Sequence, residues 1–525
     1  VKTTSQLGMY WVIGTLTVAM LPQLASTPPH LLPLILFPLA WRLAAELRHW
    51  KPFPAVLRIA LTVLSVAFMI FTYGGLMGRR AAVGLLAVML SLKLLEAFRV
   101  RDARIVASLS LFLCATQFLF SQGLFMLLYG AIATVCALVA LAYLHRRESF
   151  QPVGEAPPSG HSLFAELGFS ARLLALAIPV ALAVFLLFPR WGTPLWGIPE
   201  EALDARSGLS NSMSPGSIQN LFMDDTPAFR AEFNGAAPPH PALYWRGPVF
   251  WNFDGTEWTG SFLARNIRAD SRPAVRTSPW RYTVQMEPTE QHWLFALDYP
   301  SIVPQGSYLT LDYQLYSPQS VTQLRSYEMA SDPRFVDTPR LSNTLRRAAL
   351  ALPEEFNPRT RRLIRSWRAD TTDDVELVNR VLAHFNRESF RYTLNPPLLS
   401  RNTVDEFMFE TRSGFCEHYA SAFTVMMRMA GIPARVVTGY LGGWYNEFGD
   451  YLLVRQSDAH AWSEIWLRGS GWTRIDPTAA VAPNRVESGA LDALAGRRHL
   501  LDFAWLRDAR NGFDFLQRRW NDWVI

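Results

Sequence analysis

The sequence predicts an all-α transmembrane bundle followed by a soluble α+β half. Three observations carry that reading. Apolar runs dominate residues 1–189, short alternating segments between Pro and Gly clusters follow, and helical periodicity from about residue 340 gives way to strands near residue 450. At 525 residues the chain exceeds what one core organises. The expected divisions are a multi-span bundle over 1–189, a β-rich domain over 190–335, a core over 336–490, and a C-terminal helical segment over 491–525 that returns to the membrane. Residues 1–189 hold 14 Lys/Arg against 6 Asp/Glu, leaving 36 and 38 of the chain's 50 and 44 for the rest. The net charge of +6 thus belongs to the apolar half. The soluble half shows no basic cluster, which argues against a nucleic-acid partner.

A helix needs roughly 20 apolar residues to cross a bilayer. Met9–Ser26, Leu31–Leu47, Ala55–Gly75, Ala81–Phe98, Ile105–Gln122, Leu124–Leu144 and Phe169–Phe188 meet or approach that length, so seven spans are expected. Lys93 within Ala81–Phe98, and the shortness of several runs, leave five spans with a re-entrant pair as the alternative. The first run lacks a clear small-residue cleavage site and is read as a span, not a signal peptide. Arg48, Lys51 and Arg58 flank one turn, Arg99, Arg101 and Arg104 a second, and Arg146, Arg147 and Arg172 a third. The turns near Thr27–His30 and Ser121–Gly123 carry no basic residue, although Arg79 and Arg80 break the alternation. The positive-inside rule makes the basic turns cytoplasmic, and an odd number of spans then sends everything after Pro189 to the far side.

In the soluble half, Ala228–Phe233, Tyr282–Met286 and Tyr308–Tyr316 alternate as strands do, and Asp254-Gly255 signals a hairpin turn. Trp245, Trp251, Trp258 and Trp293 are read as packing for a small β-domain, with an aromatic groove for glycan or peptide as the alternative. Asn357-Pro358 reads as a helix start. Asp373–Asn386 places Val375, Val378, Val381, Leu382 and Phe385 on one helical face.

The chemistry-bearing stretch is Gly414-Phe415-Cys416-Glu417-His418-Tyr419-Ala420. Tyr419, Phe423, Met426, Met427 and Ala430 recur at helical spacing, Ser413 is the expected N-cap, and Gly431 and Pro433 supply the stop. Cys416 then sits in the first turn of a buried helix, where unpaired amides and the helix dipole favour a thiolate. Cys114 and Cys136 lie in apolar runs and read as small buried hydrophobes. A thiolate needs a base, and the base an orienting partner. Asp450–Arg455 and Ala459–Trp466 read as strands, followed by a Gly469-Ser470-Gly471 turn and a return through Trp472–Ile475 to Asp476. Alternation puts His460, Trp462, Glu464 and Trp466 on one face. Hairpin counting sets Asp476 opposite Ser463 or Trp462, so a bulge or twist is expected to bring it to His460. His418 faces another side of its helix and reads as structural. No further cysteine supports a metal site of Cys416, His418 and His460.

The Gly414–Ala420 stretch, with His460-Ala461-Trp462 and Asp476-Pro477-Thr478, resembles the Cys/His/Asp signature of the transglutaminase-like superfamily over about residues 405–480. The wider layout is similar to the bacterial TgpA family of inner-membrane transglutaminase-like proteins. The resemblance implies a papain-like core and a periplasmic catalytic half in a Gram-negative cell. Cys416 would be the nucleophile, forming a thioester from a carboxamide, with His460 moving the protons and Asp476 orienting the imidazole. Tyr392 is the oxyanion candidate, and Tyr419, Trp462 and Glu464 are pocket candidates. Trp462 and Trp466 also read as core, and Glu464 and Asp458 as exposed or capping. No cofactor or metal is implied, and no acidic calcium loop is evident. The implied partners are inner-membrane lipids and protein, peptide or peptidoglycan-linked substrates. Family members continue into a further span and cytoplasmic tail, whereas this sequence runs from Val1 to Trp523-Val524-Ile525 and reads as trimmed. A cysteine peptidase or amidohydrolase with the same triad, and a non-enzymatic envelope scaffold, are the competing functions.

Overall fold

The computed structural model describes residues 4–50, 53–73, 75, 78–120, 123–149, 163–187, 209–217, 221–269, 271–336, 340–487 and 504–524. The stretches 190–208 and 491–503, where the sequence reading starts the β-rich domain and the terminal segment, lie outside these. The chain divides into two compact units, Val1–Asp204 with Arg519–Val524, and Ala205–Arg518 with Ile525.

In the first unit every expected apolar run forms a helix: α1 (Gln6–Ser26), α2 (Leu32–Arg48), α3 (Ala55–Tyr73), α4 (Arg79–Leu94), α5 (Val100–Thr116), α6 (Leu124–Ser149) and α7 (Leu163–Leu187). Met9, Leu16, Ile35, Ala87, Leu94 and Val106 are among the residues that form its core. Six helices are long and apolar enough to cross a membrane, and α4 is not one of them. Its 16 residues reach about 24 Å against a hydrocarbon core of about 30 Å, and they include Lys93. Among the described residues six of the seven expected runs thus form helices of spanning length and composition. Outward apolar side chains fit a lipid environment: Val56, Phe71 and Leu176 are each more than two-thirds exposed.

The second unit is built on two antiparallel sheets. Its longer strands are β1 (Pro227–Phe233), β2 (Tyr244–Phe253), β3 (Trp280–Met286), β4 (Arg325–Ser331), β5 (Ala434–Leu441), β6 (Tyr451–Arg455), β7 (Ala459–Leu467) and β8 (Gly471–Ile475). The larger sheet runs Ser212–Met213, Trp258–Gly260, β2, β5, β7, β8, with Ala296–Leu297 also paired to β2. The smaller runs β4, β3, β1, β6, Trp444–Asn446. Both sheets therefore mix strands from either side of residue 335. The two segments share these sheets: Val437 lies opposite Val249 and Leu453 opposite Arg230. Local composition reports strand propensity but not pairing across some 200 residues.

The Asp254-Gly255 turn forms as expected, with Asp254 Oδ1 accepting from the Thr256 and Glu257 amides at 2.8 and 2.7 Å. Tyr308–Tyr316 is not one strand: Tyr308–Leu309 folds back on Leu315–Tyr316. Trp245, Trp251, Trp258 and Trp293 are all buried. Helices α8 (Pro358–Asp370), α9 (Asp374–Arg387) and α10 (Cys416–Met429) belong to this unit. Helix α9 buries Leu377, Val378, Val381 and Phe385, while Val375, expected on that face, is exposed. Asn357 does not cap α8 with its side chain; it adopts a left-handed conformation, and the Asp405 carboxylate accepts from the Arg359 and Thr360 amides instead. Helix α11 (Ala504–Val524) anchors through Asp514, which pairs with Arg230 at 2.6 Å.

Candidate active site

The chain enters α10 through an extended segment. Ser413–Gly414 pairs in parallel with Arg391–Tyr392, and the Thr393 amide donates to Gly414 O at 2.9 Å. Phe415 is the N-cap and Cys416 the first helical residue, which corrects Ser413 as the expected cap. Gly414 has no room for a side chain, because a Cβ there would lie 2.6 Å from His418 Cβ. Residues Cys416–Arg428 are all buried. Cys416 lies in the first turn of α10, at the positive end of the helix dipole, where the His418 amide donates to Phe415 O at 2.9 Å.

His418 Nδ1 accepts from the Phe415 amide at 3.5 Å, and its ring packs between Phe407 and Phe415. Burial pushes its pKa down to about 4, so the ring stays neutral near pH 7. Between pH 6.5 and 4 the unfolded chain takes up a proton here that the folded one refuses. Stability is therefore lost as pH falls, by about 2 kcal/mol from pH 6.5 to 5. A His418→Gln variant is expected to show a shallower pH dependence of its urea unfolding midpoint across that window; an unchanged slope would refute the assignment. Glu417, also buried, accepts from the Gly216 amide at 3.0 Å and from Ser217 Oγ at 2.6 Å, tying a distant loop to the start of α10.

His460 and Asp476 come together at the other half of the site. His460 Nε2 and Asp476 Oδ2 are 2.7 Å apart. The register pairs Ser463 with Ile475, so Asp476 follows opposite Trp462 and reaches His460 as a diagonal neighbour on the same face. The pairing of β7 with β8 is regular, and the expected bulge is not needed. Asp476 caps the turn Pro477–Ala480, its Oδ1 accepting from the Thr478 amide at 2.9 Å. Tyr244 Oη donates to Asp476 Oδ2 at 2.8 Å. Burial alone would raise the Asp476 pKa; the His460 charge and hydrogen bond, with those of Tyr244 and Thr478, outweigh it and hold the carboxyl below its ordinary range.

Three hydrogen bonds fix how α10 lies on the sheet. Ser463 Oγ donates to Ala420 O at 3.1 Å, Thr424 Oγ1 and Ser463 Oγ are 2.9 Å apart, and Arg428 Nε donates to Ala434 O at 2.8 Å. Ala434 lies opposite Ile465. Ala420 and Thr424 thus both meet Ser463 of β7, and Arg428 meets the first residue of β5. Cys416 opens α10, and His460 is the second residue of β7.

The other candidates scatter. Tyr392 lies opposite Gly414, beside the entry to α10. Tyr419 packs its ring against Phe385 and Phe407, in the core. Trp462 is buried against Tyr244 behind His460. Glu464 is buried, not exposed; it pairs with Arg246 and, at 2.7 Å, with Arg435. Trp466 is partly buried at the far end of β7 and lines a cavity of about 440 Å³ with Trp251 and Trp472. Asp458 accepts from the Arg455 amide at 3.0 Å. Sequence reasoning missed Tyr244 and Glu417. Tyr244 carries no motif, whereas the acidic residue beside a helix-start cysteine was a usable signal.

A buried cysteine opening a helix, with a histidine on the strand packed against it and an aspartate at the turn after the next strand, marks a protein of the transglutaminase-like class. Comparison with known proteins agrees. Residues 11–337 match the TgpA N-terminal domain, and residues 361–477 match the transglutaminase-like superfamily. A protein-glutamine gamma-glutamyltransferase of Pseudomonas aeruginosa is 37% identical over 536 residues, covering 99% of this chain and 78% of that protein. An uncharacterized protein of Bacillus subtilis, YebA, is 33% identical over 136 residues, 25% of this chain and 18% of that one. The crystal structure of the periplasmic domain of TgpA from P. aeruginosa superposes with a TM-score of 0.52 at 42% identity, covering 55% of this chain and all of that one. Its ethylmercury-bound form gives 0.50 at 42% identity, over 54% of this chain and all of that one. The chain belongs to the TgpA family, and it is an enzyme of transglutaminase type.

Proposed function

We propose that this chain is a membrane-anchored acyltransferase whose site is formed by Cys416, His460 and Asp476. The observation that carries the reading is the His460–Asp476 hydrogen bond of 2.7 Å, with His460 on β7, the strand to which the Cys416 helix is hydrogen-bonded through Ser463. In this reading the Cys416 thiolate attacks a carboxamide carbon, and the His460 imidazolium gives its proton to the departing ammonia as the C–N bond breaks. The thioester left on Sγ is then attacked by an amine. His460 takes the amine proton, the new amide forms, and the thiolate leaves. Amides at the start of α10 would stabilise the oxyanion, with Tyr392 the candidate second donor. Asp476 holds the ring and offsets its charge. Six apolar helices support anchoring, and the relative crystallised as a periplasmic domain supports a periplasmic site.

The test is amine incorporation into a glutamine-containing protein by the full chain in detergent, with peptide cleavage followed alongside and Cys416→Ala as control. Incorporation that disappears in the variant is the expected result. Cleavage alone, equally lost in the variant, would make the chain a hydrolase. Neither activity would leave the scaffold reading.

A further inference from the structure

We infer that Tyr244 is a positioning residue for the acyl-transfer site, setting through Asp476 how strongly the His460 imidazolium holds its proton. The inference rests on the triad reading above. Tyr244 opens β2, far from the motifs in sequence, and lies opposite Leu441 of β5. Its hydroxyl donates to Asp476 Oδ2 at 2.8 Å, the same oxygen that faces His460 Nε2 at 2.7 Å. Two donors thus compete for the electron density of one carboxylate oxygen.

The ring is held on both sides. It packs edge-on against Trp462 with centroids 5.3 Å apart, and Arg474 Cζ lies 3.9 Å over its face. Arg474 is fixed in turn by an ion pair with Asp298, which also faces Arg246 Nε at 3.3 Å. Burial and the neighbouring Asp476 carboxylate push the phenol far above its ordinary pKa, so it remains a donor throughout the working range. The charged and titratable groups that act on the pair are Tyr244 on β2, Arg474 on β8 and Asp298 after Ala296–Leu297.

Removing the Tyr244 donor returns charge to the oxygen that His460 faces. The imidazolium is then better stabilised and loses its proton at higher pH. A purely structural tyrosine would lower stability or rate without moving that titration. The experiment is kcat and kcat/KM for amine incorporation against pH, with the full chain in detergent, for wild type, Cys416→Ala and Tyr244→Phe. For Tyr244→Phe the expected result is an alkaline limb raised by about 0.5–1 unit, with kcat lowered about 3- to 10-fold and KM within about twofold. An unmoved limb, with Cys416→Ala inactive, overturns the inference and leaves the triad reading standing. Activity retained by Cys416→Ala would instead remove the triad reading itself. If Tyr244→Phe does not fold, Tyr244→3-fluorotyrosine keeps the ring and strengthens the donor. Its alkaline limb should move down, and no movement there overturns the inference equally.

Discussion

Replacing His460 with alanine is expected to lower the rate of amine incorporation by about 10⁴-fold or more, close to the loss for Cys416→Ala, with little change in KM. Nucleophile and base act as one unit, so removing either removes most of what the pair supplies. The thiolate would lose its paired imidazolium, the leaving ammonia its proton donor, and the incoming amine its base. The nearby His418 cannot substitute. Its Nδ1 is engaged with the Phe415 amide, its ring is enclosed by Phe407 and Phe415, and burial keeps it neutral. Asp476→Asn should fall between wild type and His460→Ala, because the base survives while its orientation and charge partner are weakened. Single-turnover incorporation into a glutamine-containing protein measures these steps without product release. A His460→Ala loss below about tenfold would mean that another group moves the protons, and the assignment would be abandoned.

The parts legible in the sequence were those written locally. Cys416 at the head of α10 follows from helical spacing between Tyr419 and Ala430 with a stop at Gly431, and the β7–β8 hairpin from alternation around Gly469 and Gly471. The site's remaining architecture depends on pairings that no local pattern encodes. Strand β2 enters the sheet beside β5, bringing Tyr244 to Asp476 across 232 residues of chain. Gly439 allows the close approach of β5 to β2: a Cβ there would lie 1.9 Å from Trp245 O. Glu464 was misjudged for a similar reason. A charged residue alternating with tryptophans reads as a solvent or pocket position, and its two arginines come from β2 and β5. In α4 hydropathy marks an apolar run, but the helix it forms has only 16 residues.

Those two arginines make Glu464 the position where a small change should cost most stability. Arg246, Glu464 and Arg435 are each at most 2% exposed. Arg246 is paired to Glu464, Arg435 Nε donates to Glu464 Oε2 at 2.8 Å, and Arg435 lies 3.9 Å over the Trp472 ring. Burial alone would raise the Glu464 pKa, but the two guanidiniums outweigh it and hold it down at about 2. Glu464→Gln keeps the shape and removes the charge. Arg246 retains Asp298 at 3.3 Å, while Arg435 is left buried over the Trp251 and Trp472 rings with a neutral amide in place of the carboxylate. Breaking such a cluster from one side is expected to cost about 3–5 kcal/mol, a fall on the order of 10 °C in melting temperature. The pH dependence gives a second, independent reading. A carboxylate depressed from about 4.5 to about 2 contributes stability that is present above pH 4.5 and lost as pH falls towards 2, about 3 kcal/mol in all. Thermal melts at pH 7 and pH 3 should therefore show wild type losing more on acidification than Glu464→Gln. Parallel losses, or a variant as stable as wild type at pH 7, would mean that the cluster is relieved by solvent and contributes little to the fold.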